Sequence, residues 1–127
     1  MIISWFEKHN KISWMIALLI AIIIFYISSQ SFSQGSPGPE FALKSTIYHF
    51  LAFFFFNAFL MISIIKGQHK NKKFLLITIL ISILYAFSDE FHQYFVPGRS
   101  STISDVLIDT TGILFASIIY LFRFRKK

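Results

Sequence analysis

Four long apolar stretches alternate with short polar ones along the 127 residues of this chain. The first, Ile12 to Ser28, has seventeen residues and no charge. At about 1.5 Å per residue it reaches roughly 25 Å, close to the lower limit for crossing a bilayer core. The second runs from Ser45 to Ile65, the third from Phe74 to Tyr94 and the fourth from Ile103 to Phe122. The pattern predicts an all-α protein: a four-transmembrane-helix bundle, with residues 1–127 forming one integral membrane domain. No heptad or longer repeat interrupts it. Ahead of the first span, Trp5 and Phe6 beside Lys8 and Lys11 predict an interfacial anchor. A cleaved leader is the rival reading of this segment, but the apolar core is long and no A-x-A site follows it. Pro37-Gly38-Pro39 is expected to resist helix, which places Ser29 to Lys44 in a loop. The run Phe53 to Phe56 cannot face one side of a helix, so part of it must meet lipid.

Composition supports the membrane reading. Hydrophobic residues make up 55% of the chain and aromatics 19%, with 17 Phe, and the mean hydropathy is +0.64. A soluble domain of this size has too few charges here to cover so much apolar surface. The absence of Cys excludes disulfides, thiol catalysis and Cys-type zinc sites. The net charge of +6 does not point to nucleic acid, because Lys and Arg cluster at the ends of apolar runs. The partner they imply is the bilayer itself. Ten of the twelve basic residues fall in the N-terminal lead, the middle loop and the C-terminal tail; Lys44 and Arg99 are the other two. The positive-inside rule then predicts cytoplasmic termini in a multi-pass cell-membrane protein.

Four of the six acidic residues lie between Ser88 and Gly112. With the predicted orientation, His49, Asp89, His92, Gln93, Asp105 and Asp109 all come to the outer ends of their spans. Asp89, His92 and Gln93 share a helical face, and Asp105 and Asp109 share another. Gly112 and Ala116 extend the second face as a small-residue stripe, expected to admit close approach of the third span. Asp105 also suits a helix start. Asp89 and Glu90 fall at a helix C-terminus, where the dipole disfavours them, so Arg99 is expected to compensate one of them. Glu90 points off the Asp89 face and is expected to be solvated. Asp109 lies too deep for capping and is expected either to bond to His49 or His92 or to serve as a functional proton site. The candidate binding cluster is therefore His49, Asp89, Glu90, His92, Gln93, Arg99, Asp105 and Asp109.

At these residues the chain resembles the VanZ-like family of small bacterial membrane proteins. The resemblance rests on Ser88-Asp89-Glu90-Phe91-His92-Gln93, on Pro97-Gly98-Arg99, on Asp105-Val106-Leu107 and on Gly112. Ser28-Ser29-Gln30-Ser31 and His49 also fit, while Asp109 stands where the family pattern often has Asn. The resemblance covers essentially the whole chain. It implies an envelope protein, associated in some members with reduced susceptibility to teicoplanin-type glycopeptides, and it implies no particular reaction.

Three functions follow as expectations. The first is a site for a lipid headgroup, a cell-wall precursor or a glycopeptide, with the Arg99 fork suited to phosphate or carboxylate. The second is an enzyme using acid–base chemistry on a lipid-linked substrate, with carboxylates beside histidines. The third is a small proton-coupled exporter, disfavoured because the middle of every span lacks an ionisable group. No strong metal-ligand spacing such as H-E-x-x-H occurs, so no metal and no cofactor is expected. The one metal set entertained draws on His49, Asp89, His92 and Asp109.

Overall fold

The computed structural model describes residues 2–31, 39–68 and 72–124. These form five helices: α1 (Ile2–Lys8), α2 (Asn10–Ser28), α3 (Pro39–Ile65), α4 (Lys72–Tyr94) and α5 (Ile103–Phe124). The last four are long and apolar enough to cross a membrane. All four carry large apolar side chains outward, among them Leu18, Ile22, Leu84, Leu107 and Phe122, as expected where lipid is the solvent.

Two boundaries differ from the sequence expectation. The second span begins at Pro39, not after Lys44. Proline is well suited to the first residue of a helix, because its missing N–H would have no intrahelical partner there and its φ is already helical. Glu40 and Lys44 then face each other one turn apart at 2.7 Å. The N-terminal lead is itself a helix, α1, whose Phe6 ring packs edge-on against Phe59 at 5.4 Å. Pro37 and Gly38 lie outside the described residues.

The spans pack in the ring order α2, α3, α5, α4, and α3 also touches α4 across the middle. One apolar core unites Ile24, Phe53, Phe56, Leu60, Ala86 and Ile113. A second, under α1, unites Met61, Ile62, Ile65, Ala116 and Tyr120. Phe53 and Phe56 are thus inside, while Phe55 is exposed, so the phenylalanine run is split between core and lipid. Gly112 fixes the α3–α5 spacing. A methyl group there would overlap the Phe50 carbonyl oxygen and lie 3.2 Å from Phe54 N. The small-residue stripe therefore receives α3, not α4 as expected from sequence, because the face it shares with Asp109 is turned toward His49.

At mid-depth, Asn57 ties three helices together. Its amide donates to Ile113 O and to Ser117 Oγ, both at 2.9 Å, and its carbonyl accepts from Ser82 Oγ at 3.0 Å. A buried amide in hydrocarbon must satisfy both ends, and this one does.

Candidate functional site

The ends of α2 and α4 and the starts of α3 and α5 gather at one end of the bundle, called here the polar end. Two sets of polar side chains meet there. On the α5 side, His49 Nδ1 lies 2.9 Å from Asp109 Oδ1, with His49 3% and Asp109 0% exposed. An imidazole N–H at Nδ1 donates to that carboxylate. The Gly112 contact one turn further on allows the pairing, because it brings the α3 and α5 backbones together.

Glu90 joins this side, contrary to the expectation that it would be solvated: it is 4% exposed. The cause is the connection from α4 to α5. Pro97-Gly98 forms a tight turn closed by Arg99 N donating to Val96 O at 3.2 Å, with Gly98 at φ +79°. That φ is open to glycine and strained for other residues. The turned chain lays the start of α5 over Glu90. Thr102 N donates to Glu90 Oε2 at 3.2 Å, and Ser101 Oγ donates to Glu90 O at 2.7 Å. Thr102 caps α5: Asp105 N donates to its Oγ1 at 3.3 Å, and that hydroxyl donates to Asp105 Oδ2 at 2.7 Å. Asp105 thus sits as an acid in the first turn of α5, paired with the capping hydroxyl. Glu90 accepts the N-cap N–H and adds a second negative group at the positive end of the α5 dipole.

On the α2 side, Gln93 Nε2 donates to Asp89 Oδ2 at 2.9 Å and to Ser28 Oγ at 3.2 Å. Asp89 and Gln93 are thus on one buried face, as their spacing predicts. His92 is not with them. Its Nε2 lies 3.0 Å from Ser29 Oγ, and its ring stacks on Phe25 at 4.6 Å. His92 thus falls outside the His49–Asp109 pair, and the metal set drawn on it and Asp89 is not the one assembled here. Arg99 donates from Nε to Gln30 O at 3.2 Å and from Nη2 to Ile27 O. A guanidinium at the end of α2 satisfies carbonyls left over by the helix and opposes its dipole. Partial burial lowers the pKa of Arg99 from its ordinary value, and the Asp89 carboxylate pulls it back up; a guanidinium stays charged throughout.

Among the described residues, four buried polar atoms at this end have no hydrogen-bond partner: Tyr48 Oη, Asp89 Oδ1, Glu90 Oε1 and Asp109 Oδ2. Such atoms are costly inside a protein and in native structures ask for an explanation. Tyr48 was not singled out from sequence; a tyrosine beside a histidine inside an apolar span was the available signal. Tyr48 also ends an apolar groove of about 310 Å³ on the lipid-facing side of α2 and α3, lined by Ile20, Ile23, Ile24, Leu51, Ala52 and Phe55.

A model of the VanZ/LLP1 family matches residues 13–124. No curated protein and no solved structure matches the chain.

Proposed function

The chain belongs to the VanZ/LLP1 family, and from that membership and its polar end we propose an envelope membrane protein that holds one amphiphile at the outer face. The distribution of Lys and Arg supports the outward placement of the polar end. The hydrocarbon chain of the amphiphile lies in the α2–α3 groove. Its head, bearing ammonium, amide or hydroxyl donors, meets Tyr48 Oη and Asp89 Oδ1. The observation that carries the reading is Tyr48 Oη, which lines an apolar groove and has no hydrogen-bond partner among the described residues, with Asp89 Oδ1 likewise partnerless at the same end of the bundle. Arg99, whose Nε and Nη2 donate to the end of α2, positions that helix; in this reading it does not grip a phosphate.

A membrane lipid, a lipid-linked wall precursor and a lipid-tailed glycopeptide share this chemistry. Occupying the groove with any of them alters the access of lipid-tailed glycopeptides to the membrane surface. The test expresses wild type, Asp89→Asn, Tyr48→Phe and Ala52→Trp at equal abundance in a glycopeptide-sensitive host. Protection against lipid-tailed but not untailed glycopeptides is expected from wild type, and at least a fourfold loss from each variant. Mass spectrometry of amphiphiles retained by the purified protein, with and without added glycopeptide, separates the three sources. Equal protection by all four proteins overturns the reading.

The buried His49–Asp109 pair beside Glu90 favours a second reading, acid–base catalysis on a lipid-linked substrate. A time-dependent change in the mass of a retained amphiphile, lost in His49→Gln, would establish it. Proton-coupled export gains no support, since Asn57, at the heart of the mid-depth network, has no proton to exchange.

A further inference from the structure

We propose that His49, Glu90 and Asp109 form a binding site for a divalent metal ion of the zinc or manganese class. Each offers one ligand atom, and the three atoms lie within 4.8 Å of one another. All three side chains are buried. They come from three different helices, α3, α4 and α5, so the bundle itself sets their spacing. Two further facts turn an acidic cluster into a site. Among the described residues, Asp109 Oδ2 and Glu90 Oε1 are buried without a hydrogen-bond partner, and the His49 imidazole lies 2.9 Å from the other Asp109 oxygen.

The charge balance points the same way. Asp89, Glu90 and Asp109 are all buried within one end of a bundle set in hydrocarbon; the half-buried Arg99 guanidinium acts first on Asp89, and among the described residues His49 is the basic side chain in contact with Asp109. Carboxylates in such a place need a cation or a proton. Asp89 has Gln93 and Ser28 beside it. Glu90 and Asp109 each keep one oxygen unused, and a dication placed between them would neutralise both.

The ligand set narrows the ion. One imidazole nitrogen with two carboxylate oxygens suits zinc and manganese, while calcium prefers oxygens alone. Bonds of about 2.0–2.2 Å around zinc set ligand atoms roughly 3.3–3.6 Å apart in a tetrahedron. The ligand atoms, within 4.8 Å of one another, therefore close by up to about 1.2–1.5 Å on binding. With three protein ligands, one position of a four-coordinate ion stays open. The site concerns the α5 side of the polar end, whereas the headgroup reading rests on Tyr48 and Asp89, so either can fail without the other.

The experiment uses the full chain, purified in detergent and stripped with a chelator. Zn²⁺ or Mn²⁺ alone is titrated by calorimetry, and Co²⁺ is added as a visible-absorption probe of an N/O-ligated site. Wild type is expected to bind one ion per chain, with a rise in thermal stability. His49→Gln, Glu90→Gln and Asp109→Asn are each expected to weaken binding at least tenfold, and His49→Gln to change the Co²⁺ spectrum. Outward-facing Leu107→Ala is expected to bind within threefold of wild type. Absence of stoichiometric binding by folded wild type overturns the site, as does binding that all three ligand variants retain. Should a ligand variant fail to fold, the Co²⁺ spectrum of wild type decides alone: bands of a nitrogen-containing site support the proposal, and the hexa-aquo spectrum overturns it.

Discussion

Replacing Gly112 with alanine sets two known effects against each other. In an ordinary helix interior, alanine is preferred over glycine by about 1 kcal/mol. Here the added methyl overlaps the Phe50 carbonyl oxygen and sits 3.2 Å from both Phe50 C and Phe54 N. Those atoms are backbone, so no rotamer change relieves the contact, and α3 and α5 must separate. Overpacking of this kind costs about 1–3 kcal/mol, and a rigid backbone neighbour puts this site at the upper end. Separation also stretches Asn57–Ile113, Asn57–Ser117 and His49–Asp109, each now 2.9 Å. Hydrogen bonds between membrane helices average roughly 0.6 kcal/mol each. The steric term exceeds the propensity gain, and a net loss of about 2–3 kcal/mol is expected. Unfolding by steric trapping in bicelles measures it, with lipid-facing Leu107→Ala as the control. A Gly112→Ala protein equal to or more stable than wild type would refute the claimed α3–α5 contact.

Three further outcomes follow from the same geometry. His49→Ala leaves Asp109 buried without its partner and should cost about 3–5 kcal/mol; a double-mutant cycle with Asp109→Asn should return a coupling well above 1 kcal/mol, and additivity would deny the pair. Gly98→Ala should destabilise by about 1 kcal/mol or more, because its φ of +79° is strained for alanine; slower amide exchange at Thr102 in the variant would contradict the role given to this turn. Asn57→Leu should loosen the centre of the bundle by roughly 1–2 kcal/mol, through the three bonds it abolishes, and unchanged unfolding would show that network to be dispensable.

The spans were legible because hydrocarbon imposes a length and a composition that few other pressures mimic. Their polar ends were legible in part. Asp89 and Gln93 meet because a spacing of four residues determines a helical face. The antiparallel order of the spans brings Asp109 level with His49 and His92, and only the packing of α5 on α3 selects His49. Glu90 was misjudged because its burial depends on the Pro97-Gly98 turn folding α5 back over α4, and a helical wheel of α4 carries no trace of that. The start of α3 was misjudged because Pro39 was weighed as a breaker, although proline ends one helix and begins another equally well. The partner of Gly112 was misassigned because a small-residue stripe specifies that some helix comes close, not which one. Tyr48 and Asn57 were passed over as lone polar residues in apolar runs, the context in which a polar side chain costs most and calls for a reason.

The reading of the polar end as an outer-face site for an amphiphile requires that it open away from the cytoplasm. The chain contains no cysteine, so single thiols report without interference. Ser100 is exposed beside the Gly98 turn, and Gln68 is exposed at the opposite end of the bundle. In intact cells, a membrane-impermeant maleimide is expected to label Ser100→Cys and to leave Gln68→Cys unlabelled until the membrane is permeabilised. Labelling of Gln68→Cys with protection of Ser100→Cys would place the acids and His49 on the cytosolic side and contradict the account.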